Sequence, residues 1–154
     1  MLIAVEPAYE DLWFRRMMLE DEETMSYNHA WGGTVSFPEE KWNDWYDRWI
    51  LHHGTMRFYR FLKDGDGHFV GEIAYHYDSE LDSFLANVIV YSKYRGRGYG
   101  AEALDLLCAE AKGNGVTTLC DNIAADNPAI GLFLKRGFQI VGRMENKIIL
   151  KKEL

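Results

Sequence analysis

A glycine-rich segment in the middle of the chain joins an apolar run to a helical pattern. The segment YRGRGYG, residues 94–100, follows ANVIVY at 86–91 and precedes AEALDLLCAEAK at 101–112. The apolar run predicts a buried strand, and the apolar spacing after it predicts a helix. Glycine lets a ligand approach the free N–H groups at the start of a helix. Together with the helix dipole and two arginines, the segment predicts a phosphate-binding loop.

Two other phosphate-binding motifs can be compared with this loop. A Walker loop requires GxxxxGK[ST], which the sequence lacks. A dinucleotide fingerprint, GxGxxA, is satisfied by Gly96, Gly98 and Ala101, and Asp121 lies about 20 residues further on, where the ribose contact is expected. That fingerprint belongs to a series of βαβ units. Here hairpin patterns precede the loop, and about 50 residues follow it. The position of the loop therefore counts against a dinucleotide.

The remaining patterns predict one α/β domain over residues 1–154. The turn cluster DGDG at 64–67 predicts a hairpin, and the strand–helix–strand unit 83–124 predicts a right-handed parallel crossover. The expected order is βααβββαβαββ. Strands are predicted at 2–5, 57–63, 68–77, 83–91, 117–124, 138–143 and 146–152, and helices at 8–20, 36–50, 99–114 and 127–136.

Composition excludes several function classes. The net charge of −7 argues against nonspecific binding to nucleic acid or to an anionic membrane. No apolar run approaches the ~18 residues of a membrane span, and the first residues lack the basic region of a signal peptide. Cys108 and Cys120 lie in apolar patterns and are expected to be buried thiols, which predicts a cytoplasmic protein without disulfides. No metal is expected.

The glycine-rich segment resembles a motif of a known family. YRGRGYG is similar to the (Gln/Arg)-x-x-Gly-x-(Gly/Ala) pyrophosphate motif of the GNAT (GCN5-related N-acetyltransferase) superfamily, with Arg95, Gly98 and Gly100 at its named positions. Downstream, NPAIGLFLKRGF resembles the second motif, N-x-x-A-I-x-L-Y-E-K-x-G-F, although Ala129 stands one place early. The element order also resembles that fold over the entire chain. The resemblance implies a mixed, mostly antiparallel α/β (α+β) sheet with one parallel, splayed strand pair.

The resemblance also implies how a cofactor is held. The donor substrate would be acetyl-CoA, with its pantetheine along the edge of the strand at 86–91, which splays from the strand at 117–123. The N–H of Val90 is the candidate to polarise the thioester carbonyl. Residues 95–100 would surround the pyrophosphate. The implied cofactor contacts are Val88, Ile89, Val90, Arg95, Gly96, Arg97, Gly98, Tyr99, Gly100, Asn127 and Phe133.

Proton transfer leaves more alternatives open. An amine with a pKa near ~10 must lose a proton before it attacks, so a base or water is needed. Asp121, Glu72 and His76 are the catalytic candidates, and Asp82 is a fourth candidate base. The tyrosine usual in the second motif is Phe133 here, which has no proton to give. Either another hydroxyl, such as that of Tyr75, Tyr77 or Tyr91, serves as the acid, or CoA leaves as a thiolate.

Three functions therefore remain after the sequence alone. The first is an N-acetyltransferase acting on an amine of a small molecule or of a protein, with Tyr27, Asn28, His29 and Trp31 of the loop SYNHAWGG as acceptor contacts. The second is an acyl-CoA-binding module with little catalysis, which Phe133 suggests. The third is a nucleotide-binding domain that uses GxGxxA. The acceptor is not identified, and the oligomeric state stays open, with a homodimer as one alternative.

Overall fold

Seven strands form one mixed sheet in the computed structural model, which describes residues 1–154. The order across the sheet is β1-β2-β3-β4-β5-β7-β6, and only β4 and β5 run parallel. This topology confirms the predicted fold class and element order. The strands are β1 (Ile3–Val5), β2 (Arg57–Lys63), β3 (Phe69–Asp78), β4 (Ser83–Val90), β5 (Thr118–Ala124), β6 (Gln139–Met144) and β7 (Lys147–Glu153).

Helices cover both faces of this sheet. The helices are α1 (Leu12–Glu20), α2 (Trp42–Tyr46), α3 (Tyr99–Gly113) and α4 (Ile130–Lys135). Helices α3 and α4 pack with Leu119 and Ile123 in one apolar cluster, and this side is called the α3 face. Helices α1 and α2 pack with Tyr59 and Ala74 in a second cluster, and this side is called the α1 face. None of the helices combines the length and the apolar character that a membrane crossing requires.

The parallel pair β4–β5 separates after a short stretch. Its register contains only two partners, Phe84 with Leu119 and Leu85 with Cys120. Beyond them β4 stays paired with β3 as far as Val90, and β5 stays paired with β7 as far as Ala124. A wedge-shaped gap therefore opens in the middle of the sheet, as the predicted splay of the two strands requires.

Gly71 fixes the path of β4 beside this gap. A Cβ atom built on Gly71 would lie 2.2 Å from the carbonyl oxygen of Ile89. Only glycine allows two strands to approach this closely, because any other residue would push the end of β4 away from β3. The sequence pattern VGEIAY gives no hint of this contact, which depends on the pairing of β3 with β4.

Three predicted elements need correction. Residues 36–50 form not one helix but a 3-10 turn (Glu39–Lys41), α2 and a π-helical turn (Asp47–Leu51). The predicted loop at 26–33 is largely a 3-10 helix, Thr24–Trp31, called the 24–31 helix below. Helix α4 begins at Ile130 rather than 127, because Asn127 uses its carboxamide oxygen to accept the N–H of Ala129 in a preceding turn.

The two cysteines agree with expectation. Cys108 on α3 and Cys120 on β5 are both buried and unbonded to each other. Burial raises the pKa of the Cys108 thiol, so it stays protonated at neutral pH. The thiol of Cys120 contacts the hydroxyl of Ser83 at 3.5 Å on the α1 face. Both side chains therefore serve as packing groups.

Candidate functional site

One large cavity, of about 1080 Å³, passes through the gap between β4 and β5. Its wall on the α3 face includes Val88, Leu104 and Phe133, and its wall on the α1 face includes Trp45 and His76. A cavity with access to both faces of a sheet can hold two different molecules that meet in the gap. The three main catalytic candidates and the four acceptor candidates predicted from the sequence all line this cavity. Every predicted cofactor contact except Arg97 also lines it.

The backbone of β4 offers unpaired groups to the gap. The N–H of Tyr91 donates to the C=O of Val70 at 2.8 Å. Hydrogen-bonded pairs alternate in antiparallel strands, so the N–H and C=O of Ile89 point to β3, whereas those of Val88 and Val90 point away from it. The gap lies on that second side. An extended ligand can therefore pair with Val88 and Val90, while Ile89 contributes only its side chain, on the α1 face.

The carboxyl group of Asp121 lies on the opposite edge of the gap. The N–H of Leu154 donates to the C=O of Thr117, which fixes the alternation along β5 and turns the N–H of Asn122 toward β4. The carboxyl of Asp121 accepts this N–H at 2.8 Å. The side chain of Asp121 therefore lies at the edge of β5 that is no longer paired with β4.

Burial dominates the electrostatics of Asp121. Desolvation raises the pKa of its carboxyl to about 8, and the single hydrogen bond from the N–H of Asn122 opposes this only in part. No cation pairs with it. A carboxyl with a pKa near neutrality can both take up and release a proton under physiological conditions.

The glycine-rich loop closes the other end of the cavity. Gly96 and Gly98 have φ of 78° and 80°, the left-handed region that glycine adopts without strain. Gly98 is the cap of α3, and none of the N–H groups of residues 96–101 donates to a protein acceptor. A Cβ atom on Gly100 would meet the side chain of Leu132 at 3.4 Å. The loop thus has the unpaired N–H groups and the positive dipole end that bind phosphate oxygens.

The two arginines of this loop have different surroundings. Arg95 donates to the C=O groups of Glu23 and Thr24, at 3.0 and 2.6 Å. Its guanidinium is thereby tied to the start of the 24–31 helix instead of standing free beside the loop. Arg97 is exposed, lies outside the cavity wall, and has its guanidinium 5.4 Å from the ring centre of Tyr94. Arg95 is therefore engaged within the protein, whereas the guanidinium of Arg97 is exposed to solvent.

A second set of hydrogen bonds reinforces the tie made by Arg95. The carboxylate of Asp21 accepts from the N–H and the hydroxyl of Thr24 and from the hydroxyl of Ser92. The N–H of Ser92 donates to the hydroxyl of Thr24 at 3.0 Å. These hydrogen bonds lower the pKa of Asp21, so it remains ionised. The 24–31 helix and the glycine-rich loop are consequently joined by a polar clasp.

The far end of the 24–31 helix reaches the loop between β5 and α4. His29 lies 3.1 Å from the carboxylate of Asp126, and the ammonium of Lys147 lies 4.8 Å from the ring centre of Trp31. The carboxamide of Asn28 donates to the C=O of Gly33, which closes the end of the helix. The helix therefore crosses the cavity on the α1 face, and Tyr27, Asn28, His29 and Trp31 all line it.

Glu72 lies at the base of the cavity on the α1 face, 1% exposed. One carboxylate oxygen accepts from Arg15 at 2.8 Å and from the hydroxyl of Tyr59, and the other accepts from the carboxamide of Asn87 at 2.8 Å. The guanidinium of Arg15 also lies 4.6 Å from the ring centre of Trp45. With both oxygens engaged, Glu72 is better suited to hold these side chains in position than to take a proton from a ligand.

His76 follows Glu72 on the same face of β3, as the alternation predicts. Its ring lies edge-on to Trp49, which in turn stacks near Trp45 with ring centres 6.2 Å apart. Burial is the main cause that lowers the pKa of His76, with Arg57 contributing. The imidazole is therefore neutral at physiological pH and can accept or donate one hydrogen bond.

Four weaker candidates lie outside the cavity wall. Asp82 is exposed in the β3–β4 turn and accepts from the hydroxyl of Tyr77. The hydroxyl of Tyr75 accepts from Asn114, and the ring of Tyr91 packs against Phe14. The sequence could not exclude them, because strand alternation gives a face but not the end of the strand at which the cavity opens.

Ligand-type side chains also meet at the β2–β3 turn. Asp64, Asp66 and His68 bring their ligand atoms within 4.8 Å of one another, outside the cavity wall. Asp64 accepts the N–H groups of residues 66 and 68, which is the ordinary bonding of a tight turn. These hydrogen bonds account for the arrangement.

Two polar residues of the site were not among those predicted from the sequence. Arg15 stands in the middle of an amphipathic helix and resembles a surface residue there, yet it is packed against Phe37, Trp45 and Tyr59. Asn122 lines the cavity beside Asp121. In the sequence, Asp121 and Asn122 form a polar pair within an apolar strand. Of this pair, only Asp121 was predicted from the sequence as a site residue.

Comparison with known proteins agrees with this geometry. A family model described as the acetyltransferase (GNAT) family matches residues 7–138. No curated protein matches the chain.

Solved structures of low sequence identity share the fold. A Brucella melitensis structure described as ribosomal-protein-alanine N-acetyltransferase has a TM-score of 0.75 at 22% identity and covers 100% of this chain and 99% of its own. A structure described as an acetyltransferase from Acinetobacter baylyi has a TM-score of 0.81 at 16% identity, covering 100% and 93%. The PaiA N-acetyltransferase of Thermoplasma acidophilum, solved in complex with coenzyme A, has a TM-score of 0.70 at 13% identity, covering 100% and 99%.

Proposed function

The chain belongs to the GNAT acetyltransferase family, and from that premise we propose that it transfers an acetyl group from acetyl-CoA to an amino group of a small molecule or a protein. Both substrates bind at once, and the amine attacks the thioester directly. The observation that carries this proposal is the gap between β4 and β5. It combines the unpaired backbone of Val88 and Val90 on one edge with the carboxyl of Asp121 on the other.

The donor half of the site fits acetyl-CoA. The free N–H groups of residues 96–101 suit the pyrophosphate, and the exposed edge of β4 suits an amide-bearing chain such as pantetheine. Val88 and Val90 pair with that chain, and the N–H of Val90 polarises the carbonyl. Asn127 contacts it from the turn before α4, and Phe133 contacts it from α4. Acetyl-CoA, when bound, supplies a thioester whose acyl group an amine can take.

Asp121 is the proposed base. With a pKa of about 8, its carboxyl is ionised in a minority of molecules at neutral pH and in most molecules above pH 8. The ionised form can accept the proton of an ammonium group that enters the gap. Glu72 is engaged with Arg15, Tyr59 and Asn87, and we assign it a positioning role. His76 is neutral and remains a second acceptor for the proton.

The leaving thiolate requires no side chain on α4. Phe133 cannot donate, and a thiolate with a pKa near ~8.5 is a tolerable leaving group. Four tyrosines line the cavity, and of these Tyr59 donates to Glu72, while Tyr94 and Tyr99 flank the glycine-rich loop. Tyr27 remains, with burial raising the pKa of its hydroxyl well above its usual value, so that it stays a hydrogen-bond donor at all physiological pH values. We assign it the hydrogen bond to the departing sulfur.

The acceptor half of the site is aromatic and acidic. Trp45, Trp49 and Trp31 offer flat apolar walls, and Asp78 and Asp126 offer negative charge. Asn28 and His29 add hydrogen-bonding groups on the 24–31 helix. This combination suits a cationic amine.

Calorimetric titration tests the donor assignment. Acetyl-CoA should bind, and NAD at the same concentration should not. Binding of NAD without binding of acetyl-CoA would overturn the proposal. Release of free thiol from acetyl-CoA, followed across a panel of amines that includes aromatic amines, polyamines and peptide N-termini, then tests transfer.

The competing function is an acyl-CoA-binding module, which the absence of a hydroxyl at Phe133 favours. It predicts tight binding of acetyl-CoA with no thiol release above the uncatalysed rate on any amine. Acetylated product, identified by mass, would exclude the module. The two outcomes are distinct because binding and turnover are measured separately.

A further inference from the structure

The carboxamide oxygen of Asn122 is a buried acceptor that has no hydrogen-bond donor in the protein. Asn122 lines the cavity, one residue after Asp121 on the free edge of β5. A buried carbonyl oxygen without a donor costs stability, and most buried polar groups are paired. We propose that Asn122 is a specificity residue whose carboxamide oxygen accepts a hydrogen bond from the amino group of the acceptor. This inference rests on the proposed function.

The face on which Asn122 lies selects the acceptor rather than the donor. Successive side chains of a strand point to opposite faces, so Asn122 points away from Leu119 and Ile123, which pack against α3. Its cross-strand partner is Ile149, between the two α3-face residues Ile148 and Leu150. Asn122 therefore points to the α1 face.

Neighbouring contacts lead to the same conclusion. Cys120, two residues earlier and on the same face as Asn122, contacts Ser83 there. The 24–31 helix packs against β5 on this face. The glycine-rich loop begins α3, on the other face of the sheet. A ligand on the α1 face that reaches Asn122 is therefore the molecule lying beneath the 24–31 helix, not the chain held by the glycine-rich loop.

The carboxamide oxygen of Asn122 limits which type of ligand group can bind there. A carboxamide oxygen can only accept, so its partner is an N–H or an O–H. An ammonium group has three donors. Asp121 and Asn122 start from opposite faces of β5, but the carboxyl of Asp121 turns back to the N–H of Asn122 at the strand edge. One ammonium donor can therefore face that carboxyl while a second faces the oxygen of Asn122, which orients the nitrogen toward the gap. An alcohol offers one donor and cannot satisfy both oxygens at once.

The inference is tested on the best amine from the panel with Asn122→Leu and Asn122→Asp. The leucine variant keeps the side-chain size and removes the acceptor oxygen. Loss of a hydrogen bond to a charged group should weaken acceptor binding about 10-fold to 100-fold. The aspartate variant keeps an acceptor oxygen there and can add a negative charge, so it should bind the cationic acceptor no more weakly than wild type does. Acceptor binding is measured by calorimetry on the protein saturated with CoA.

Acetyl-CoA affinity and a remote control separate the outcomes. Acetyl-CoA should bind both variants within about 2-fold of wild type, and Asn43→Leu on the exposed side of α2 should change neither affinity. Weakened binding of acetyl-CoA with unchanged acceptor binding would assign the oxygen to the donor and overturn the inference. Equal effects of leucine and aspartate, or no effect of either, would also overturn it. Absence of turnover by the wild type would instead reject the proposed function.

Discussion

The proposed donor side and the proposed acceptor side of the cavity are built in different ways. The donor side is formed mainly by Val88, Val90 and the residues of 95–100 other than Arg97, which lie within 13 consecutive positions and would act mainly through backbone groups. The acceptor side comprises Tyr27, Trp45, Trp49, His76 and Asn122, which come from five separate elements and act through side chains. A backbone site tolerates many side chains, whereas a side-chain site changes its ligand with each substitution. The proposed donor side therefore depends mainly on the path of the backbone, and the proposed acceptor side depends on which side chains the fold brings together.

Asp121 lies between the two sides, and its substitution should have the largest effect. Asp121→Asn keeps the shape and removes the base, so kcat should fall about 100-fold or more, while the dissociation constant of acetyl-CoA stays within about 2-fold. Steady-state kinetics and calorimetry provide the two numbers. Asp105→Asn, on the exposed face of α3, is the control and should leave both unchanged. An unchanged kcat for Asp121→Asn would remove Asp121 from the mechanism.

The pH dependence of stability tests the same carboxyl independently of activity. Its pKa is about 8 in the folded protein and near 3.8 when unfolded, so the folded state binds more protons between these values. The contribution of this carboxyl to the free energy of unfolding is fully present below pH 3.8. It is lost as the pH rises toward 8, by up to about 1.4 kcal/mol per pH unit. Urea unfolding from pH 5 to pH 8 should show a steeper loss for wild type than for Asp121→Asn. Parallel curves for the two proteins would contradict the raised pKa.

Gly71 tests whether the donor side depends on backbone shape. In Gly71→Ala the new methyl group would meet the carbonyl of Ile89, which should destabilise the fold by about 1–3 kcal/mol. Displacement of β4 should also weaken acetyl-CoA binding. Gly113→Ala, at the end of α3 with no atom within 4 Å, is the matched control and should not destabilise. A Gly71→Ala protein as stable as wild type would show that the strand can move freely.

Arg95 tests whether the two sides are coupled. Arg95→Gln loses the charged hydrogen bonds to Glu23 and Thr24, which should loosen the 24–31 helix. Acceptor KM should rise about 5-fold to 10-fold, since each such bond contributes about 1–2 kcal/mol and the side chain is partly exposed. Arg143→Gln on the exposed part of β6 should have no effect. A change confined to acetyl-CoA binding would restrict Arg95 to the donor side.

Tyr27 should give the smallest effect. Tyr27→Phe removes one hydroxyl and should lower kcat about 3-fold to 10-fold, because a neutral hydrogen bond contributes about 1 kcal/mol. The acetyl-CoA dissociation constant should not change. Tyr77→Phe removes a hydroxyl bound to Asp82 outside the cavity and serves as control. A rise in acceptor KM at constant kcat would assign Tyr27 to acceptor binding alone.

The shape of the glycine-rich loop could be predicted because its signals are local. Glycines at 96 and 98 require positive φ, and their spacing before an apolar helix is visible in the sequence. The separation of β4 from β5 followed from the family resemblance. The roles of Arg95 and Arg97 could not be predicted, because the charge of an arginine does not reveal which carbonyl or ring it meets after folding.

The acceptor side was less predictable for a physical reason. The 24–31 helix has a polar sequence that also suits a loop, and its helical form depends on the clasp with Ser92 and Arg95, about 70 residues away. Arg15 could not be recognised as buried, because its compensating charge, Glu72, lies 57 positions away. The oxygen of Asn122 is buried without a donor in the folded protein, which the local sequence does not reveal.

The sequence by itself determined the order of elements, the glycine-rich loop before α3 and the resemblance to a family, because these depend on local periodicity and on backbone conformations that few residues adopt. The tertiary structure alone decided which side chains face the gap and with what charge. Burial raises the pKa of Asp121. Packing also brings Glu72 to Arg15 and leaves the carboxamide oxygen of Asn122 without a donor. Each of these is a property of the folded molecule. The proposed donor site therefore follows largely from the sequence, whereas the proposed acceptor site depends on the fold.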